Sequence, residues 1–195
     1  MTDLFDTSEG ATPLEPEERG GLRQSWVTTR ADLNLAEQDN IDKGVAWVIR
    51  LRRPDFPSVR FALELHRRMF SDVWDWAGTY RRTERNIGIA PHRIGAEMPN
   101  LLGDVSYWTE HSTYSPIEIA VRLHHRLVYI HPFPNGNGRH ARFMADLLLE
   151  RLGGTSLTWG GASLSDISDL RRTYVAALRK ADRDDYDDLI TFAQS

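Results

Sequence analysis

His131-Pro132-Phe133-Pro134-Asn135-Gly136-Asn137-Gly138-Arg139-His140-Ala141-Arg142 joins two helical patterns, and its reading decides what surrounds it. Pro132 and Pro134 remove backbone donors and stop the preceding helix, while Gly136 and Gly138 open backbone angles that other residues avoid. The result is a tight loop feeding directly into a helix amino terminus. Such a terminus has N–H groups without intrahelical partners and the positive end of the helix dipole, so it binds anions. Arg139 and Arg142 stand three apart in the first turns, which places both guanidinium groups near one face. His131 precedes the loop, and an imidazole, with an ordinary pKa of about 6.5, suits proton removal near neutral pH. A phosphate cradle with a base beside it implies transfer of a phosphorus centre to a hydroxyl, helped by positioning and charge neutralisation. A plain interhelical turn would need neither the two arginines nor the histidine.

Working outward, Ser115-Pro116-Ile117-Glu118 is a helix start signal that predicts a helix over 116–130, and Gly153-Gly154 ends the one predicted over 136–152. Further helices are predicted over 33–51, with Leu35, Ile41, Val45, Val48 and Ile49 as the apolar positions, and over 59–70, with Phe61, Leu65 and Met69 inward. Three more are expected over 95–110, 163–179 and 184–192. Residues 80–94 hold Gly88 and Pro91 among Thr83, Ile87 and Ile89, which predicts a short hairpin or flap. Phe70, Trp74 and Trp76 read as core rings. His124 lies on the stripe of Ile117, Val121 and Val128, so it reads as a core histidine holding one hydrogen bond rather than a metal ligand. The fold class is mostly α, a helical bundle with a small β-hairpin flap: an amino-terminal arm over 1–32, then one helical domain over 33–195.

The chain has 195 residues, 41% apolar and 27% charged, enough for one full-sized core. It has no cysteine, which excludes disulfides, a thiol nucleophile and thiolate zinc sites. A net charge of -4, without a basic face, argues against nucleic acid as a partner. Asp3, Asp6 and Glu9 with no base in the first ten residues are the reverse of a secretory leader. No apolar run approaches the roughly 20 residues needed to span a bilayer, so a soluble cytoplasmic protein without membrane partners is expected.

The central string resembles the Fic-family signature His-x-Phe-x-(Asp/Glu)-Gly-Asn-Gly-Arg-x-x-Arg, matching at His131, Phe133, Gly136, Asn137, Gly138, Arg139 and Arg142. The similarity reaches out to Trp76-Ala77-Gly78, with Arg81 behind it, and covers residues 59–152; the stretch from Leu14 to Ile41 is similar to that of the mobile-element-associated group called mobile mystery protein B. The resemblance implies a nucleotidyltransferase moving AMP from ATP to a Ser, Thr or Tyr of a target protein. It assigns His131 as base, Phe133 as loop anchor, Gly136, Asn137 and Gly138 as anion hole, and Arg139 and Arg142 as holders of the outer phosphates. It makes Glu84, Arg85, Asn86, Ile87, Gly88 and Ile89 the flap that docks the target by strand addition. At the Mg²⁺ position Asn135 replaces the usual acid, and an amide oxygen brings no charge to a hard cation. Transfer of another phosphorus-linked group, or a silent nucleotide-binding or partner-docking module, are therefore the alternatives. Glu37, in Leu33-Asn34-Leu35-Ala36-Glu37-Gln38, is the nearest match to the family's inhibitory glutamate and is expected to restrain Arg142; an antitoxin-like partner is the other expected source of inhibition.

Overall fold

The computed structural model describes residues 15–52, 54–161 and 167–195. The first 14 residues of the expected arm and the expected helix start at Ser163 lie outside them. Eight α-helices follow in order among the described residues: α1 Pro16–Arg19, α2 Arg30–Ile49, α3 Val59–Phe70, α4 Ile94–His111, α5 Pro116–Ile130, α6 Asn137–Arg151, α7 Ile167–Ala181 and α8 Asp187–Gln194. A 3₁₀ turn, Pro91–Arg93, leads into α4. No helix is long and apolar enough to cross a membrane among these residues. The chain forms two compact units: residues 1–99 with 129–140, and residues 100–128 with 141–195.

In the first unit, Thr29 starts α2 by accepting a hydrogen bond from Asp32 N at 3.1 Å, while Asp32 Oδ2 accepts from Thr29 N at 2.9 Å. The boundary expected at 32/33 thus falls inside α2. The apolar positions expected to face inward are not all buried: Leu35 is 59% and Ile49 78% exposed, whereas Leu33, Ala36, Glu37, Asn40, Gly44 and Val48 form the inner face. That face was hidden because two of its members are polar, and a count of apolar residues passes over them. Both have partners on arrival: Asn40 donates to Arg68 O at 3.0 Å and accepts from Asp72 N at 2.8 Å. Gly44 lets α2 approach α3 closely, since a Cβ there would lie 3.1 Å from the backbone of Met69. α3 has the bounds its pattern predicts and buries Phe61, Leu65 and Met69 together with Ala62, His66 and Phe70.

The hairpin expected over 80–94 does not form: no strand occurs there, and the one isolated β-bridge among the described residues joins Leu22 to Trp74. Its alternation is interrupted by Gly88 in the left-handed region (φ +93°) and by a buried arginine that takes up the carbonyls a ladder would use. Far from hanging loose, residues 15–23 are stitched to this part of the chain. Arg23 N donates to Val73 O at 2.8 Å, Asp75 N to Gly21 O at 3.0 Å, and Trp76 Nε1 to Glu18 O at 3.0 Å.

The second unit packs Val121, Ala145, Leu149, Trp159, Ala177, Tyr186 and Leu189 into one apolar cluster. Ser115 caps α5, accepting from Glu118 N at 3.2 Å. Gly153 (φ +85°) and Gly154, whose N–H bonds Leu149 O at 2.9 Å, terminate α6 as expected.

Candidate active site

His131 ends α5 with φ +53°, a left-handed backbone that non-glycine residues rarely adopt. Arg81 holds it there. This side chain, 2% exposed, donates from Nε to His131 O at 2.6 Å, from Nη1 to Thr83 O at 2.8 Å, and from Nη2 to Ile89 O and, at 3.4 Å, to Ile130 O. Its backbone N–H bonds Pro132 O at 2.9 Å. A guanidinium that would be costly to bury alone is thus compensated by carbonyl dipoles, and its fork geometry fixes both ends of the flap against the histidine's own backbone. Burial, then the neighbouring Arg85, lowers its pKa.

The rest of the loop is braced by two side chains. Asn137, buried, accepts from Phe133 N at 2.9 Å and donates to Phe133 O at 2.8 Å. Its side chain is therefore committed to loop shape. Phe133 is wholly buried, with its ring 3.6 Å from that of His66. His66 in turn donates from Nε2 to Asn135 O at 3.0 Å and accepts at Nδ1 from Gly78 N at 3.0 Å. Those partners demand the neutral ring, and burial, then His140, pushes its pKa well below the usual histidine value.

Gly136 has φ +77°, and a Cβ there would sit 2.6 Å from the Phe70 ring, so position 136 admits glycine on two counts. The first bond of α6 runs from His140 N to Gly136 O at 3.0 Å. The N–H groups of Asn137, Gly138 and Arg139 precede it, and none donates within the chain among the described residues. A Cβ on Gly138 would meet nothing within 4 Å, so the space beside this terminus is open. Free donors, a helix dipole and open space together accept an anion.

Arg139, 38% exposed at its side chain, lies over the Phe70 ring at 4.9 Å and pairs through Nη2 with Glu37 Oε2 at 2.8 Å. Glu37 was expected to restrain Arg142, and the structure gives it Arg139 instead. The carboxylate is 3% exposed, and its Oε1 also accepts from Trp74 Nε1 at 2.8 Å and faces Asn135 Nδ2 at 3.5 Å. Asn135 Oδ1 meanwhile accepts from Gly136 N at 2.8 Å. A hard cation requires oxygen, and this side chain gives its nitrogen to Glu37 and its oxygen to Gly136 N, so Asn135 alone does not fit Mg²⁺.

Within the flap, Gly88 lies directly against the histidine: a Cβ there would be 2.6 Å from His131 Cβ. Ile89 is buried and Ile87 is exposed, while the Arg85 guanidinium is turned inward to Glu18 and to Glu15 at 3.4 Å. Thr83 Oγ1 also donates to Glu18, at 3.1 Å. Of the expected docking residues, Arg85 is thus engaged by α1.

In the second unit, Arg142 lies over the Tyr174 ring at 5.3 Å and the Trp159 ring at 6.0 Å, without an ion pair among the described residues. Tyr174 OH is 2.8 Å from His124 Nε2, which makes His124 the bonded core histidine its stripe predicted. Burial, then Arg142, brings its pKa to about 3. Asp146 accepts from Trp159 Nε1 at 3.0 Å and Leu157 N at 3.1 Å, setting the indole beside the guanidinium. Arg81, His66, Tyr174 and Trp159 carry support roles that local sequence did not disclose, although His66 sits on the buried stripe of α3.

A family model described as Fic/DOC family matches residues 56–149. The chain is 36% identical over 96 residues to the protein adenylyltransferase Fic of Nematostella vectensis, covering 47% of this chain and 22% of that one. It spans about a fifth of the length of the curated relatives it matches. Among solved structures it is similar to the N-terminal FIC domain of Bep8 from Bartonella sp. 1-1C, at 16% identity and TM-score 0.71, covering 90% of each chain. It is also similar to BepC of Bartonella tribocorum with bound AMPPNP, at 15% identity and TM-score 0.66, covering 92% of this chain and 97% of that one.

Proposed function

We propose, from the match of residues 56–149 to the Fic/DOC family model, that the chain is a protein adenylyltransferase, moving AMP from ATP to a Ser, Thr or Tyr hydroxyl of a target protein. The observation that carries this reading is the unpaired N–H row at the start of α6 with Arg139 beside it, one short loop away from a histidine locked in a left-handed backbone. The N–H groups of residues 137–139 bind phosphate oxygens, and Arg139 and Arg142 neutralise the outer phosphates. His131 accepts the proton of the target hydroxyl as that oxygen attacks the α-phosphorus and pyrophosphate leaves. Residues 84–89 align the target segment beside His131. Mg²⁺, bound with the nucleotide, would offset part of the phosphate charge.

Glu37 withholds Arg139 until phosphates compete for it, which makes it the restraint in the free chain; an antitoxin-like partner would act in addition. The mobile mystery protein B grouping is part of the same proposal. Asn135 supports a second reading, transfer of a different phosphorus-linked group, because it removes a charge from the metal position. Incubation of wild type, His131→Ala and Asn135→Asp with labelled ATP, scoring targets in lysate and self-modification, tests both. Label from the α-phosphate that vanishes in His131→Ala is the expected result. Label from the γ-phosphate would establish the second reading, and nucleotide binding with no label from either position would leave a binding module.

A further inference from the structure

We infer that Glu18 of α1 is a positioning residue for the target protein, because it holds residues 83–85 of the flap in shape; the inference rests on the docking role proposed above for residues 84–89. Residues 82–88 take part in no backbone–backbone hydrogen bond among the described residues, so their path is set by side chains. The side chains alternate. Arg81, Thr83 and Arg85 turn inward, while Arg82, Glu84 and Asn86 are exposed. Arg81 holds the carbonyls of Thr83 and Ile89, and the span between them leans on α1.

Both oxygens of the Glu18 carboxylate are committed there. Oε1 accepts from Thr83 Oγ1 at 3.1 Å, and Oε2 accepts from Arg85 Nη2 and, within α1, from Glu15 N at 2.9 Å. The Glu18 side chain is 12% and the Arg85 side chain 1% exposed, so salt and water screen the pair poorly. Glu15 adds only a 3.4 Å contact from a half-exposed side chain, and Arg85 Nε is buried without a hydrogen-bond partner among the described residues. α1 itself does not yield. Trp76 Nε1 donates to Glu18 O at 3.0 Å, and Gly21 packs so closely that a Cβ there would lie 2.7 Å from the Trp76 ring. Trp76 belongs to the segment leading into the flap, so α1 bridges the root of the flap and its middle. Without the Glu18 charge, Arg85 is a buried cation with little to balance it, and it moves to water and takes residues 83–86 along. His131 is held separately, by Arg81 Nε on its carbonyl at 2.6 Å, a contact that does not involve α1. α1 therefore sets how much order a target must impose on the flap as it docks, while proton transfer at His131 is left as it is.

The test uses the full chain, α-labelled ATP and two classes of acceptor: the proteins of a cell lysate, and the N-acetyl amides of serine, threonine and tyrosine, which are too small to dock on the flap. Glu18→Gln keeps the shape and an acceptor for Glu15 N; it is expected to lower labelling of lysate proteins about tenfold, with transfer to the small amides within about threefold of wild type. Arg85→Met should lower protein labelling to a similar degree, and Glu18→Gln/Arg85→Met no further than the worse single change, because both break one contact. Trypsin supplies a readout independent of activity: measured against the exposed Arg82, initial cleavage after Arg85 should be about tenfold faster in Glu18→Gln than in wild type. Equal loss on both acceptor classes, no loss on either, additive losses in the double variant, or cleavage after Arg85 unchanged by Glu18→Gln each overturns the inference. Wild-type label confined to the small amides overturns it too. Should Glu18→Gln not fold, Thr83→Val removes only the hydroxyl given to Glu18 and should lower protein labelling alone by about threefold, and no loss there overturns the inference. No label on any acceptor from wild type would instead sink the adenylyl-transfer reading and the inference with it, which separates the two failures.

Discussion

Replacing Arg81 with Met keeps the length of the buried stem and removes every side-chain donor. Four carbonyls lose a partner, but they do not count equally. The Thr83 contact is only half-buried, and the Ile130 contact is long at 3.4 Å, which leaves His131 O and Ile89 O as the stranded pair. At about 1–3 kcal/mol for each buried group left unsatisfied, the loss is about 2–6 kcal/mol. Relief from burying a guanidinium without a carboxylate offsets part of this, so about 3 kcal/mol is expected, a large share of the roughly 5–15 kcal/mol that holds a domain together. Urea unfolding followed by tryptophan fluorescence measures it, with the slope against denaturant unchanged. The variant should stay folded at 25 °C yet lose about 10²-fold or more in transfer rate, because His131 loses the contacts that sustain its left-handed backbone. Nucleotide affinity should hold within about threefold, since Asn137 braces the cradle independently. Arg81→Met within about 0.5 kcal/mol of wild type, or with an undiminished rate, would refute the claim that this carbonyl network positions the base.

Gly88→Ala combines φ +93° with a Cβ 2.6 Å from His131 Cβ, so it should cost about 1–3 kcal/mol and lower the transfer rate even toward a small hydroxyl acceptor; a rate lost only toward protein targets would argue for docking alone. Asn137→Asp sets a carboxylate oxygen against Phe133 O in place of a donor and should lower stability by about 2 kcal/mol, and calorimetry showing no change would sink the bracing role. His124 and His140 are buried, with pKa values brought to about 3 and about 4, first by burial in both cases. The unfolded chain therefore binds protons that the folded chain refuses: stability is fully present above about pH 6.5 and falls with pH toward those values, by about 2 kcal/mol per histidine between pH 7 and 5. Melting temperatures flat across that interval would contradict it.

Helix ends were legible because their signals are local: Ser115 and Gly153 act within a turn of where they stand. The loop glycines were legible for the same reason. What periodicity concealed was long-range pairing of polar groups. Glu37 and Asn135 are 98 residues apart, and α2 looks like a helix with its apolar face elsewhere until its partners at Arg139 and Trp74 are in place. Asn135 stands out in the sequence as a missing charge, but its contact with Glu37 on another element cannot be read from spacing. The flap misled for a related reason: its alternation suits a strand, but Arg81 satisfies Thr83 and Ile89 carbonyls by side chain, so no ladder is needed.

The first unit closes late in synthesis. α2 and α3 leave the ribosome well before residues 129–140, which belong to the same unit. His66 waits 69 residues for the Asn135 carbonyl, about 4–14 s at ordinary elongation rates, and Phe133, which fills the space against its ring, comes just before it. His131, the open N–H row of α6 and the buried Phe133 ring thus arrive in a single short segment. A nascent chain stopped short of it lacks both the loop residues and the ring that seals the interior.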